Sequence, residues 1–189
     1  CVVLLTELGY ADTFALNKVG TMTMLYLASK SPRRAEILKQ LGVPFQVLQV
    51  DVDETPMPHE DALEYVQRIA KTKAEAGWHL MQQQQLTVLP LLSADTTVSL
   101  AGEILGKPVD QADALRMLQQ LSGSVHEVHT ALAMMTAQGL YTALSSTRVM
   151  MKPLSESELH SYISSGEPMD KAGAYGIQGL ASLFVQRIE

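Results

Sequence analysis

One short segment combines hydroxyl and guanidinium groups in a way that suits the binding of an anion. It reads Ala28-Ser29-Lys30-Ser31-Pro32-Arg33-Arg34. An apolar run precedes it and an amphipathic helix follows it, so we predict a turn from a strand into a helix. Ser31 is the expected N-cap, and Pro32 occupies the first helical position, where a missing N–H costs nothing.

The two arginines of this turn stand where a helix normally disfavours positive charge. Arg33 and Arg34 stand in the first helical turn, where the positive end of the helix dipole disfavours each cation by roughly 0.3 kcal/mol or more. A phosphate bound by the free N–H groups of the helix end would turn this repulsion into attraction. The alternative is that both arginines are solvated; the pattern favours the anion site.

Carboxylates gather at two other places in the chain. The turn after the second predicted strand carries Asp51, Asp53 and Glu54, which repel one another unless they are solvated or share a cation. Asp95 directly follows the apolar run 86–94, at the expected end of a strand, where α/β enzymes place their chemistry. Composition alone makes a solvated loop the more ordinary account of the acidic turn, and Asp95 is equally well explained as a turn residue.

Further polar groups lie in a predicted helix and in two loops. Lys73 falls within a helix expected over 61–77, and Lys107 lies in the tight loop Gly106-Lys107-Pro108. The segment 170–179 has three glycines among seven residues, which indicates a backbone that something approaches closely; a mobile surface loop is the alternative. No histidine is assigned a catalytic role.

The positioning elements alternate between strand and helix, which predicts an α/β fold. Apolar runs and alternation predict six strands, over 24–27, 45–50, 86–94, 125–135, 140–151 and 183–188. Periodicity and capping signals predict four helices, over 31–41, 61–77, 110–121 and 155–163. Gly42 is the expected C′ residue of the first helix, and a capping box of Ser155 and Glu158 is expected to begin the fourth. The glutamine run 82–85 is expected to form a loop. The residues expected to face inward are Leu63, Val66, Ile69 and Ala70 in the second helix and Ala114, Met117, Leu118 and Leu121 in the third.

Composition excludes several classes of protein. The net charge of −6 over 189 residues argues against non-specific binding to nucleic acid. No apolar run approaches the roughly 20 residues that a membrane span needs. The single cysteine, Cys1, fits a reducing cytoplasm. Residues 1–21 match no pattern, and we expect them to be an extension that precedes the domain at 22–189.

The chain from about residue 24 onward resembles the Maf family of nucleoside triphosphate pyrophosphatases. The resemblance rests on separate blocks in family order: Ala-Ser-Lys-Ser-Pro-Arg-Arg at 28–34, Asp-Glu at 53–54, Lys73, Ser-Ala-Asp-Thr at 93–96, Gly-Lys-Pro at 106–108, Leu-Ser-Gly at 121–123 and Asp-Lys-Ala-Gly-Ala-Tyr-Gly-Ile-Gln-Gly at 170–179. It implies hydrolysis of a nucleoside triphosphate to the monophosphate and pyrophosphate, with Mg²⁺ or Mn²⁺ as cofactor.

The resemblance also implies roles for residues at matching positions. Arg33, Thr96 and Gln178 match the specificity positions of members that prefer dTTP and UTP, whereas members acting on methylated GTP tend to have an aromatic residue in place of Arg33. The implied roles are Asp95 as proton acceptor, Lys73 and Lys107 as further catalytic residues, Glu54 and Asp95 as metal ligands, and Ser29, Arg33, Arg34, Thr96, Lys171 and Gln178 as substrate-binding residues.

The fold implied is an elongated mixed sheet flanked by helices, in two lobes with a central cleft. Family members continue past this chain with another strand and a helix, so we expect a truncated domain that is less stable than a full-length homologue, and a homodimer if it folds. The expected function is dTTP and UTP pyrophosphohydrolysis in a bacterial-type cytoplasm. The alternative is a nucleotide-binding regulator of septum formation with weak or no hydrolysis.

Overall fold

The computed structural model describes residues 24–189 as a seven-stranded sheet with four α-helices. The extension expected over 1–21 lies outside the described residues. The strands are β1 (Leu25–Ala28), β2 (Phe45–Val47), β3 (Leu91–Leu100), β4 (Glu103–Leu105), β5 (Val125–Thr136), β6 (Gly139–Met151) and β7 (Val185–Ile188). The α-helices are α1 (Pro32–Gln40), α2 (Ala62–Gln83), α3 (Gln111–Leu121) and α4 (Glu156–Ser164), and short 3₁₀ helices cover Glu167–Asp170, Ala172–Ala174 and Leu180–Phe184.

The strand order is β2-β1-β3-β5-β6-β7, with β4 paired to β3 outside this path. β1 runs parallel to both β2 and β3, whereas the β3–β4 and β6–β7 pairs are antiparallel. The sheet is therefore mixed and flanked by helices, which confirms the predicted fold class. None of the helices in residues 24–189 is long and apolar enough to cross a membrane.

The described chain divides into two compact units. The first contains residues 24–58, 64–95 and 131–145. Its core surrounds β1, which is buried along its whole length, as expected of a strand with a parallel neighbour on each side. Leu38 of α1 packs into this core, and Gly42, with φ of 68°, follows the helix as the predicted C′ glycine.

The second unit contains residues 59–63, 96–130 and 146–189. Its core includes the four residues of α3 that periodicity placed inward: Ala114, Met117, Leu118 and Leu121. Helix α4 begins with the predicted capping box, in which Ser155 accepts from the N–H of Glu158 at 3.3 Å. Helix α3 thus packs, and helix α4 begins, as the sequence indicates.

Several predicted boundaries were wrong, most clearly those of β3 and α2. β3 begins at Leu91 and continues to Leu100, so Asp95 lies within the strand rather than after its end. Helix α2 continues through Gly77 to Gln83, so the first two glutamines of the run 82–85 extend the helix, as suits a good helix former, and the last two form a turn. Leu63, expected to face inward, is exposed.

Candidate active site

Ser29 and Asp95 both lie just beyond the part of β1 and β3 that pairs in parallel. Ala28, the last residue of β1, is in register with Ser93 of β3. Ser29 follows Ala28, and Asp95 lies two residues beyond Ser93, so both come to the carboxyl end of this strand pair. Both are buried, with 7% and 6% of their surface exposed.

Ser29, rather than Ser31, organises the turn before α1. Ser31 is the N-cap by backbone position, but its side chain makes no cap hydrogen bond. Instead the Ser29 hydroxyl accepts from the Ser31 N–H at 3.2 Å and from Nη1 of Arg34 at 3.1 Å. Arg34 is half-buried whereas Arg33 is exposed. Arg34, which contacts Ser29, therefore lies inside the site.

A lysine and two carboxylates form the centre of this group. The Lys73 Nζ lies 2.8 Å from Oε1 of Glu54 and 2.8 Å from Oδ1 of Asp95. The side chains of Lys73 and Asp95 are only 12% and 9% exposed, whereas that of Glu54 is 40% exposed. Lys73 is therefore not the solvated helix lysine that composition would suggest.

The packing of α2 against β3 explains the position of Lys73. Ala70, Lys73 and Gly77 share one face of α2 because they are three and four residues apart. The Ser93 hydroxyl donates to the Ala70 carbonyl at 2.6 Å. At Gly77 an added Cβ would lie 2.7 Å from Cδ1 of Leu91, so the absence of a side chain allows the helix to pack closely against the strand.

The acidic turn is attached to the same helix. The Tyr65 hydroxyl donates to the Glu54 carbonyl at 2.9 Å, and Nη2 of Arg68 donates to the Thr55 carbonyl at 3.1 Å. The Arg68 guanidinium also lies 5.6 Å from the centre of the Tyr65 ring. Sequence reasoning missed Tyr65 and Arg68; their spacing of three on a helix was the available signal.

The three carboxylates of the acidic turn have different environments. Glu54 contacts Lys73, whereas Asp51 forms an exposed ion pair with Lys30 at 3.2 Å. Asp53 accepts from the Thr55 N–H at 2.9 Å, and hydrogen bonds from the Thr55 side chain and from this N–H lower the pKa of Asp53. Glu54 is therefore the member of the turn that reaches the buried lysine.

Burial sets the protonation behaviour of the centre. It raises the pKa of Asp95, and the nearby charges of Lys73 and Arg34 only partly oppose this effect. Burial also lowers the pKa of Arg34, an effect that the negative charge of Asp95 opposes. A carboxylate with a raised pKa is a stronger proton acceptor than a solvated one.

The other site residues predicted from the sequence lie in the second unit. The Thr96 and Thr130 hydroxyl oxygens are 3.1 Å apart. Lys107 and Gln178 are exposed. The Lys171 Nζ donates to the Glu167 carbonyl at 2.6 Å and to Oδ1 of Asp170 at 2.7 Å.

The loop that carries Lys107 contacts the Gly-rich segment, which we define as residues 170–179. The Gly173 N–H donates to the Gly106 carbonyl at 3.0 Å. Gly173 has φ of 66°, and an added Cβ would lie 3.0 Å from the Val98 side chain, so both conformation and space favour glycine. The structure thus brings the Lys107 loop against the segment that carries Lys171 and Gln178.

The fold and the lysine–carboxylate centre define the chain as an α/β protein with a largely buried, charged site just beyond the parallel pairing of β1 and β3. The family model described as Maf-like protein matches residues 24–189. The chain belongs to the Maf family, as its sequence blocks predict.

Two relatives, each about half identical in sequence to this chain, agree with this assignment. A dTTP/UTP pyrophosphatase of Chromobacterium violaceum is 52% identical over 167 residues, which cover 88% of this chain and 84% of that protein. A dTTP/UTP pyrophosphatase of Bordetella pertussis is 55% identical over 168 residues, covering 87% of this chain and 81% of that protein. A solved structure of the Staphylococcus aureus Ham1 protein matches with a TM-score of 0.49 and 14% identity, covering 68% of this chain and 71% of that one.

Proposed function

We propose that this protein is a nucleoside triphosphate pyrophosphatase that hydrolyses dTTP and UTP, and modified pyrimidine triphosphates of similar shape, to the monophosphate and pyrophosphate. The observation that carries the proposal is the buried centre in which Lys73 contacts both Glu54 and Asp95. The names of the relatives support the reaction and the substrates. They give no support to the alternative of a septum regulator.

Asp95 is the proposed proton acceptor for the attacking water. The pKa of Asp95 is raised towards neutral pH, so its ionised carboxylate takes up a proton more readily than that of an ordinary aspartate. The Lys73 ammonium, 2.8 Å from the Asp95 carboxylate, favours the ionised form and fixes its orientation. Activity should therefore decrease as the pH falls through the raised pKa of Asp95.

Cationic side chains are the proposed partners of the triphosphate. The substrate carries about four negative charges, and more negative charge develops on the leaving pyrophosphate. Arg34, donating to Ser29 beside the start of α1, and the helix N–H groups are suited to bind phosphate oxygens. The remaining proposed phosphate-binding groups are Ser29, Arg33, Lys73, Lys107 and Lys171.

The centre also fits a divalent metal ion. Glu54 and Asp95 each place a carboxylate oxygen 2.8 Å from the same Lys73 nitrogen, so the two oxygen donors converge. Residues 24–189 contain no group of three or more His, Cys, Asp or Glu suited to a metal. Two carboxylates completed by phosphate oxygens and water are the arrangement that Mg²⁺ commonly takes. When bound, Mg²⁺ or Mn²⁺ would supply positive charge against the phosphates.

Thr96 and Gln178 are the proposed base-recognition residues. The amide of glutamine offers both a donor and an acceptor, and can pair with the O4 acceptor and the N3–H donor of thymine or uracil. We assign the activity to a domain at 22–189, and the family model matching 24–189 supports this. We further propose a homodimer that works in the cytoplasm.

The test is pyrophosphate release from UTP, dTTP and other nucleoside triphosphates, with Mg²⁺ or Mn²⁺. Asp95→Asn should abolish release while leaving the protein folded, because burial makes the ionised Asp95 side chain less favourable in the folded chain than in the unfolded one, which is why its pKa is raised. Asp51→Asn is the matched control, since the Asp51 side chain is 94% exposed. A folded wild-type chain that binds UTP without releasing pyrophosphate would point to the regulator instead.

A further inference from the structure

We propose that Glu167 is a positioning residue that fixes the Gly-rich segment, and with it Lys171 and Gln178, in the conformation that binds substrate. The proposal rests on the proposed function for what the segment binds. Glu167 lies in the 3₁₀ helix Glu167–Asp170, just before the segment. The following contacts, all within the second unit, carry the argument.

The carboxylate of Glu167 joins the end of the Gly-rich segment to α4. One of its oxygens, Oε1, accepts from the Tyr162 hydroxyl at 3.0 Å. The other, Oε2, accepts from the Leu180 N–H at 3.0 Å. Leu180 directly follows the segment, so the carboxylate ties its carboxyl-terminal end to a buried residue of the helix.

The backbone of Glu167 contacts the opposite end of the same segment. Its carbonyl accepts from the Lys171 Nζ at 2.6 Å. One residue thus contacts the chain at Lys171 and at Leu180, on either side of the glycines. Contacts at both ends restrict the conformations open to the intervening residues, which include Gln178.

The spacing of the glycines supports this role. An added Cβ at Gly179 would lie 2.6 Å from the carboxyl carbon of Glu167. At Gly176 an added Cβ would lie 2.8 Å from Cδ and Cε of Lys171. The glycines predicted a close approach to the backbone. At Gly176 and Gly179 the groups that approach are the side chains of Lys171 and Glu167, so the Gly-rich segment folds around these two residues.

The groups that hold Glu167 are themselves fixed. Tyr162 is buried, and its ring meets that of Phe184 edge to face at 5.2 Å between centroids. Burial and the Glu167 carboxylate raise the pKa of Tyr162, so its hydroxyl keeps its proton and donates. On the backbone side, the Glu167 N–H donates to Oγ of Ser165 at 3.2 Å. The carboxylate is thus preorganised before any ligand binds.

The experiment compares Glu167→Ala, Glu167→Gln and the control Glu156→Ala, whose exposed side chain lies on α4. Because Asp95 and Lys73 are intact, Glu167→Ala should raise KM for UTP roughly tenfold, the effect of losing a hydrogen bond to a charged group, and lower kcat much less. Glu167→Gln keeps an acceptor for the Leu180 N–H and should recover much of the loss. Unchanged KM in a folded Glu167→Ala protein would overturn the proposal.

Amide hydrogen exchange gives a readout that does not depend on turnover. In Glu167→Ala the Leu180 amide should exchange at least tenfold faster, whereas the Gly173 amide, bonded to Gly106, should change little. Equal protection of Leu180 in both proteins would also overturn the proposal. If wild-type protein releases no pyrophosphate, the proposed function fails, and the exchange result still decides whether Glu167 fixes the segment.

Should Glu167→Ala not fold, Tyr162→Phe decides the outcome. It deletes only the hydroxyl that donates to Glu167 and keeps the ring contact with Phe184. A smaller increase of KM in the same direction supports the proposal. A wild-type KM together with wild-type exchange at Leu180 contradicts it.

Discussion

Gly77→Ala should destabilise this protein, although the same change stabilises most helices. In an exposed helix interior, alanine is better than glycine by about 0.8–1.0 kcal/mol. Gly77, however, faces β3 and β1. The new methyl carbon would lie 2.7 Å from Cδ1 of Leu91 and 3.2 Å from Cβ of Ala28. Both neighbours are fully buried, so neither can move away into solvent.

The size of the effect follows from two opposing contributions. Forcing an extra methyl group into a close-packed core costs about 1–3 kcal/mol, and the helix propensity of alanine returns about 1 kcal/mol. The net loss in the free energy of unfolding should therefore be as much as about 2 kcal/mol. Relief by moving α2 outward would lengthen the 2.8 Å contact between Lys73 and Asp95, so pyrophosphate release should decrease as well.

Urea unfolding and pyrophosphate release from UTP are the two assays. The matched control is His79→Ala, an exposed position on the same helix, where the free energy of unfolding should change by less than about 0.5 kcal/mol. The reasoning is refuted if Gly77→Ala is more stable than the wild type and fully active. That result would mean that α2 does not need close contact with β3.

Two further predictions concern the second unit. Burial lowers the pKa of His126 to about 4, so the stability that its neutral form contributes above pH 6.5 is lost as the pH falls from 6.5 through 4. Between these two pH values, the free energy of unfolding measured in urea should change by about 2 kcal/mol less in His126→Phe than in the wild type. An equal change in both proteins would contradict this prediction. Ser155→Ala removes the acceptor of the capping box and should cost about 1 kcal/mol, whereas an unchanged unfolding midpoint would show that the cap is dispensable.

The local signals of the sequence predicted most of the elements. Periodicity located α3 and its buried face, and the Ser155 capping box located the start of α4. Such features depend on residues within one or two turns of each other. The end of β3 was misplaced because pairing with β4, rather than local composition, decides where that strand ends.

The candidate site was predictable as a set of residues but not as an arrangement. The blocks in family order named Glu54, Lys73 and Asp95, yet nothing in their spacing showed that one lysine contacts both carboxylates. From the sequence alone, Gly77 was predicted to end a helix. The structure shows that it is a glycine because Leu91 of β3 packs against it, and this contact could not be predicted from the residues near Gly77. Contacts between distant segments of the chain decide these features.

The contact between Gly179 and Glu167 couples two positions that are twelve residues apart. Gly179 has a negative φ of −116°, which does not in itself require glycine. The need for glycine there arises from the Glu167 carboxyl and not from the chain's own geometry. Substitutions at the two positions are therefore not independent, and among Maf proteins a residue with a side chain at position 179 should accompany a smaller residue at position 167.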